Sequence, residues 1–82
     1  MTEEYIEILK YVQSLFPKPV YLVGGACRDI LLEIEPKDYD FCSAMATEEV
    51  KECLKGKHRV YCVGEKFGTI GFKAIGKDIE IT

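Results

Sequence analysis

The chain has 82 residues, a length that fits one domain, and residues 1–82 are therefore expected to form a single domain. Hydrophobic residues make up 48% of the chain and charged residues 30%, which is typical of a folded globular protein and not of a disordered one. The formal net charge is −3. An acidic chain is poorly suited to coat nucleic acid, because such binding neutralises many phosphates with cationic side chains. Any contact with a nucleotide or nucleic acid is therefore expected at a local site.

The chain shows no signal for a membrane or for secretion. No apolar run approaches the roughly 20 residues that cross a bilayer. The N-terminus, Met1 to Glu4, is acidic and lacks the cationic start of a signal peptide. A soluble cytoplasmic protein without a membrane partner is expected.

The four cysteines are spaced without a CxxC pair, and His58 is the only histidine. Structural zinc sites usually bring their ligands in close pairs. Free thiols that behave as small apolar side chains are therefore favoured over a zinc or redox protein. These cysteines are Cys27, Cys42, Cys53 and Cys62.

Hydrophobic periodicity predicts the elements of the first half of the chain. Apolar residues at helical spacing predict a helix over residues 2–16, which Pro17 ends. A short apolar strand is predicted over residues 20–23. It ends at Gly24-Gly25, and a helix over residues 26–32 is predicted to begin directly from that turn.

The second half predicts a strand, a helix and three further strands. Thr47 is the expected N-cap of the helix, and Gly76-Lys77 is the expected two-residue turn of a terminal hairpin. The expected fold class is α+β, with helices packed on a small mixed sheet. The predicted ranges are a strand at 38–42, a helix at 47–54, and strands at 58–63, 69–75 and 78–82.

The first candidate site is the glycine turn followed by Arg28. Paired glycines let the backbone approach a ligand closely, and the helix that follows offers unpaired N–H groups to an anion. The guanidinium of Arg28 grips phosphate oxygens in two places. A triphosphate therefore fits Gly24, Gly25 and Arg28, although a tight turn with a surface arginine explains the same residues. Asp29 is expected to pair with Arg28 or a nearby lysine.

The second candidate site is the pair of acids at Asp38 and Asp40. Side chains alternate along a strand, so both carboxylates are expected on one side, with Tyr39 and Phe41 on the other. Carboxylates at this spacing suit hard divalent cations such as Mg2+. The alternative is a solvated acidic strand edge.

Two further groups are weaker candidates. Glu80 alternates with apolar neighbours, and it completes an acidic triad if its strand lies beside Asp38 and Asp40; a half-exposed terminal strand shows the same alternation. The loop that runs from Gly64 to Thr69 holds Lys66, which faces either a phosphate or solvent, and Phe67, which is expected in the core.

In combination, these motifs resemble one family. The segments YLVGGACRDILL at 21–32 and PKDYDF at 36–41 carry the resemblance. The segments ATEEV at 46–50, GEKFGT at 64–69 and DIEIT at 78–82 follow in the family's order. The chain is similar in these segments to the head domain of class II, bacterial-type CCA-adding tRNA nucleotidyltransferases and their poly(A) polymerase relatives.

The resemblance implies a DNA polymerase β-like nucleotidyltransferase fold and a Mg2+-dependent transfer of nucleotides from CTP or ATP to an RNA 3′ hydroxyl, that of tRNA in the CCA-adding enzymes. By resemblance, the triphosphate-binding residues are Gly24, Gly25, Arg28, Gly68 and Thr69, the metal-binding carboxylates are Asp38 and Asp40, and the third acid is Glu80.

The sequence also departs from the family pattern. Glu33 replaces the glycine that usually ends the helix, and the segments that select the base and hold tRNA in full-length relatives do not follow within the 82 residues. An incomplete transferase is therefore expected. The alternative is a non-catalytic interaction module, with the strand at 78–82 as an open edge for a partner or for a homodimer.

Overall fold

The computed structural model describes residues 4–62 and 68–82. Within them, no helix is both long and apolar enough to cross a membrane. The elements are α1 (Glu4–Ser14), β1 (Val20–Val23), α2 (Gly25–Leu31), β2 (Asp38–Ser43), α3 (Thr47–Leu54), β3 (Val60–Cys62), β4 (Ile70–Ala74) and β5 (Lys77–Ile81). All eight predicted elements are present in the predicted order, with bounds that differ by up to two residues at an end.

The five strands form one mixed sheet in the order β1-β2-β5-β4-β3. Strands β2 and β5 are parallel neighbours, while the other pairs are antiparallel. Strand β5 therefore lies between β2 and β4, with its backbone groups paired on both sides. The expectation of an open edge at residues 78–82 is wrong, because the edges of this sheet are β1 and β3.

The core lies on one face of the sheet. Strand β2 buries Tyr39 and Phe41, and the central strand β5 buries Ile79 and Ile81. Helices α1 and α3 supply apolar side chains to the same cluster, among them Ile8, Val12, Val50 and Leu54. Alternation along the strands then sends Asp38, Asp40 and Glu80 to the opposite face. We call this second face, which carries these three acids, the open face.

Two local predictions need correction. The N-cap of α3 is Ala46, not Thr47, and no side chain caps the helix, because Thr47 already belongs to the first turn. The hairpin turn is formed by Ile75 and Gly76, one residue earlier than predicted, since Lys77 pairs with Ala74. Both turn residues have positive φ, 52° and 73°, as a type I′ turn requires.

Helix α2 ends in a left-handed turn at Glu33, whose φ is 59°. The amide of Glu33 donates to the carbonyl of Ile30, and the amide of Ile34 donates to that of Asp29 at 2.7 Å. This hydrogen-bond pattern is a helix C-terminal motif that favours glycine at the left-handed position. The backbone therefore keeps the conformation that glycine would adopt, although a glutamate occupies it.

Candidate functional site

The glycine turn joins the end of β1 to the start of α2 and brings the backbone against β2. Gly24 has φ 75° and ψ −148°, a region that residues with a side chain rarely adopt. A Cβ atom on Gly24 would lie 3.4 Å from Oδ2 of Asp40. The turn and the acid are close because Val23 pairs directly with Asp40 across the antiparallel strands.

A cavity of about 360 Å³ lies between the start of α2 and β2. Its lining combines backbone, cationic groups and carboxylates, and includes Gly25, Arg28, Lys37, Asp38 and Asp40. The structure therefore brings both halves of the predicted site, the glycine turn with its arginine and the acidic pair, to one cavity. Lys37 was not singled out from the sequence, although it directly precedes the acidic pair.

Arg28 lies over the glycine turn. A Cβ atom on Gly25 would lie 3.4 Å from Nη2 of Arg28, so the guanidinium folds back toward the start of its own helix. The same Nη2 atom lies 3.4 Å from Oδ1 of Asp29, and 72% of the Arg28 side chain is exposed. The predicted pairing of Asp29 is thus confirmed. Exposed pairs of this kind contribute little free energy, so the pair with Asp29 holds Arg28 in place only weakly.

The acids of β2 and β5 form a row on the open face. Asp40 pairs with Glu80 across the parallel strands, and Asp38 pairs with Asp78 in the same register. Glu80 was a candidate only if its strand lies beside β2, and the pairing of β5 with β2 meets this condition. Glu80 is not among the residues that line the cavity at the glycine turn. In the described part of the chain, no three His, Cys, Asp or Glu side chains stand close enough together to hold a metal ion by themselves.

Gly68 and Thr69 are not among the residues that line that cavity. Gly68 is exposed with φ 82°. Thr69 is buried, and its hydroxyl shares a hydrogen bond of 3.0 Å with the hydroxyl of Thr82. The assignment of Gly68 and Thr69 to the triphosphate stays a prediction. Lys66 and Phe67, for which predictions were also made from the sequence, lie outside the described residues.

A second cavity, of about 340 Å³, is lined among the described residues by Arg59, Tyr61 and Lys73. The ring of Tyr61 lies across Gly71, since a Cβ atom on Gly71 would come within 2.7 Å of the Tyr61 Cζ atom. The sequence reasoning missed this contact. The available signal was Gly71 itself, because a glycine inside a strand often marks the close approach of another group.

Charge and burial act on the phenol of Tyr61. Partial burial raises the pKa of Tyr61, and the negative charges of Asp78 and Glu80 raise it further, while Lys73 lowers it. The hydroxyl therefore stays protonated at neutral pH and is available as a hydrogen-bond donor.

The four cysteines are free thiols. Cys27 lies in α2, and its Sγ atom is 3.3 Å from the carbonyl oxygen of Leu22, so the thiol donates a weak hydrogen bond to the preceding strand. This contact gives Cys27 a structural role beside the glycine turn.

Comparison with known proteins identifies similar chains. Residues 20–82 match the family described as the poly A polymerase head domain. The sequence is 34% identical, over an alignment 83 positions long, to the mitochondrial CCA tRNA nucleotidyltransferase 1 of Homo sapiens; the alignment covers 95% of this chain and 19% of that protein. The chain therefore spans about a fifth of the length of this curated relative.

Solved structures of CCA-adding enzymes share the fold. A CCA-adding enzyme in complex with ATP superposes with a TM-score of 0.76 at 25% identity, covering 100% of this chain and 21% of that one. The CCA-adding enzyme of Bacillus stearothermophilus in complex with CTP superposes with a TM-score of 0.74 at 32% identity, covering 100% of this chain and 20% of that one. The sheet and helices described above are those of a head domain in these enzymes.

Proposed function

The chain belongs to the poly A polymerase head-domain family, and from this premise we propose that it binds CTP or ATP in the cavity between the start of α2 and β2. We further propose that, within a whole protein, this head transfers the nucleotide to the 3′ hydroxyl of tRNA. The observation that carries the proposal is the shared cavity, in which the glycine turn and Arg28 face Asp38 and Asp40.

The triphosphate tail is assigned to the start of α2. Gly24 and Gly25 present backbone without side chains, so phosphate oxygens can approach closely. Arg28 and Lys37 line the same cavity and supply the positive charge that the tail requires. In the transfer, these groups stabilise the charge that builds up on the departing pyrophosphate.

The donor atoms in the cavity fit a magnesium ion. Asp38 and Asp40 present carboxylate oxygens, and magnesium is commonly held by one or two carboxylates together with substrate phosphates and waters. A pair of protein ligands is therefore enough for the proposed site. When bound, magnesium supplies charge neutralisation at the phosphates and lowers the pKa of a coordinated hydroxyl.

The carboxylate row also orients the reacting groups. The transfer joins the 3′ oxygen of the RNA to the α-phosphorus and breaks the bond to the β-phosphate, with release of pyrophosphate. Glu80, beside Asp40 in the sheet, adds negative charge on the side of the row that is farther from the glycine turn. We assign it as the third acid, which positions the hydroxyl that attacks.

Calorimetric titration of the chain with CTP and with ATP, with and without Mg2+, tests the binding. Changing Asp38 and Asp40 together to Ala is expected to abolish metal-dependent binding while the circular dichroism spectrum stays unchanged. Asp78→Ala is the matched control, because Asp78 lies beside Asp38 in the sheet but does not line the cavity. Unchanged Mg2+-CTP and Mg2+-ATP affinity in the double variant would remove both acids from the mechanism.

Incorporation of labelled CTP or ATP into a tRNA that lacks its CCA end tests the transfer. Incorporation by the chain alone shows a complete catalytic unit. Binding without incorporation assigns the remaining steps to other parts of a whole protein. If the chain neither binds the nucleotide nor incorporates it, the result favours a non-catalytic interaction module instead.

A further inference from the structure

The second cavity lies on the open face, on the far side of the acid row from the glycine turn. Val60 and Cys62 pair with the core residues Phe72 and Ile70. Tyr61, between them, therefore points to the open face, as does its cross-strand partner Gly71. Gly71 in turn pairs with Glu80 of β5. The ring of Tyr61 thus extends the row of side chains that runs through Glu80.

The direction of the Tyr61 ring follows from its contacts. The ring atoms Cε1 and Cζ of Tyr61 lie over Gly71, so the side chain extends from β3 over β4, the strand that separates β3 from β5. The Tyr61 ring can lie there only because glycine at position 71 has no side chain. The ring forms a flat aromatic surface. Tyr61 as a whole is 42% exposed.

Two cations flank this aromatic surface. Arg59 and Lys73 line the cavity together with Tyr61. Nζ of Lys73 lies 3.6 Å from Oδ1 of Asp78, and 77% of the Lys73 side chain is exposed. An exposed pair of this kind is readily exchanged, so Lys73 can turn to a phosphate. The carboxylates of Asp78 and Glu80 also act on Tyr61, so Arg59 and Lys73 are the groups that supply positive charge beside the ring.

We propose that Arg59, Tyr61 and Lys73 form the site that holds the 3′-terminal nucleotide of a single-stranded RNA, with the base stacked on Tyr61. The proposal rests on the proposed function, because the acid row beside the site is where the 3′ hydroxyl must arrive. Aromatic side chains stack on unpaired bases, and cations beside them follow the backbone phosphates. A paired base within a duplex does not expose its face, so the site selects a single-stranded end.

Fluorescence anisotropy with a short 5′-fluorescein-labelled single-stranded RNA ending in cytidine tests the site. Tyr61→Leu is expected to weaken RNA binding by about 5- to 150-fold, the range that loss of one stacked base gives. Tyr61→Phe keeps the ring and is expected to bind within about two-fold of the native chain. Gly71→Ala displaces the ring and is expected to weaken binding although Tyr61 is still present.

Tyr21→Leu is the matched control. Tyr21 is also an exposed tyrosine. It lies on the open face, because it is two residues before Val23, which pairs with Asp40. It belongs to β1, however, at the other edge of the sheet. Its loss is expected to leave RNA affinity unchanged. Equal weakening by Tyr21→Leu and Tyr61→Leu would overturn the proposal, and so would weakening by Tyr61→Phe as large as that by Tyr61→Leu.

The contribution of the cations is read from salt dependence. Lys73→Gln and Arg59→Gln are each expected to reduce the slope of log affinity against log salt by about 0.7, the value for one phosphate contact on a single strand. An unchanged slope in both variants would overturn the assignment of the cations. These variants also test the site if Tyr61→Leu fails to fold.

The Mg2+-CTP affinity of each variant separates this proposal from the proposed function. Tyr61→Leu is expected to leave that affinity unchanged while RNA binding falls. RNA binding that is absent from the native chain, or unaffected by Tyr61→Leu, overturns the site even when Mg2+-CTP binds. Failure of the native chain to bind Mg2+-CTP overturns the proposed function, whatever the result with RNA.

Discussion

The carboxylate of Asp40 lies against the backbone of Gly24, with 3.4 Å between Oδ2 and the position that a Cβ atom on Gly24 would take. The two residues are distant in sequence and belong to different elements. Their contact joins the glycine turn to the acidic strand, so a change at either residue is expected to affect the other.

Gly24→Ala is expected to lower the free energy of unfolding by about 1–3 kcal/mol, because φ of 75° is strained for a residue with a side chain. The new methyl group also lies against Asp40, so a weaker affinity for Mg2+-CTP is expected if the proposed site is correct. Urea unfolding and Mg2+-CTP titration measure the two effects.

Gly25→Ala is the control for that variant. The Cβ atom meets only the flexible end of Arg28, and alanine is favoured over glycine in a helix by up to about 1 kcal/mol. The free energy of unfolding is therefore expected to stay unchanged or to rise. A loss as large as that of Gly24→Ala would contradict the assignment of strain to Gly24.

Ile75→Asn is expected to stabilise the fold by about 1 kcal/mol. Ile75 has φ of 52° in the hairpin turn, where a β-branched side chain is strained and asparagine followed by glycine is favoured. Ile75 is already 48% exposed, so little burial is lost. Thermal and urea unfolding measure the gain. Ile75→Val keeps the β-branch and should show no gain; an equal gain in both variants would argue against the turn geometry.

The acidic pair of Glu4 and Glu35 is expected to make stability depend on pH. A hydrogen bond to Glu35 raises the pKa of Glu4 above 4.5, and partial burial and the charge of Glu35 raise it further, against the attraction of Lys77. A raised folded-state pKa means that the protonated form is favoured in the folded protein. The contribution of protonated Glu4 to the free energy of unfolding is therefore complete below pH 4.5, and it is lost as the pH rises through the raised pKa.

Glu4→Gln donates the same hydrogen bond at every pH. Its free energy of unfolding relative to the native chain is therefore expected to rise as the pH increases from about 4 to about 7. Urea unfolding at several pH values measures this difference. Glu48→Gln, which removes an exposed carboxylate of α3 that pairs with Lys51, is the control for the loss of one acid. A difference for Glu4→Gln that is constant or falls with pH would contradict the raised pKa of Glu4.

Tyr39→Phe is expected to keep or raise stability, by up to about 1 kcal/mol. The hydroxyl of Tyr39 is buried and has no hydrogen-bond partner among residues 4–62 and 68–82. Tyr11→Phe is the contrasting variant, because the hydroxyl of Tyr11 is hydrogen-bonded to His58 and its loss is expected to lower stability by about 1 kcal/mol. Urea unfolding compares them. Equal losses in both variants would show that Tyr39 is also hydrogen-bonded.

The sequence predicted the elements well because its local signals agree with one another. Alternation placed Asp38 and Asp40 opposite Tyr39 and Phe41, and the burial of the two aromatic side chains confirms it. The glycine turn was equally visible, since few residues besides glycine adopt the backbone of Gly24.

Relationships between strands could not be predicted from local patterns. Alternation made Glu80 a candidate, but only the parallel pairing of β5 with β2 places it beside Asp40. The same pairing puts β5 inside the sheet, where the sequence suggested an edge. The hairpin turn was misplaced by one residue because the rule favours glycine and asparagine, and an isoleucine occupies the first turn position.

Paramagnetic broadening by Mn2+ tests the central claim most directly, namely that the glycine turn and the acidic strand bind one metal–triphosphate complex. With CTP present, Mn2+ is expected to broaden the backbone amide signals of residues 24–28 and of Asp38 and Asp40 together. The effect should disappear when Asp38 and Asp40 are both changed to Asn. Broadening at only one of the two segments, or broadening that survives in the double variant, would contradict the account.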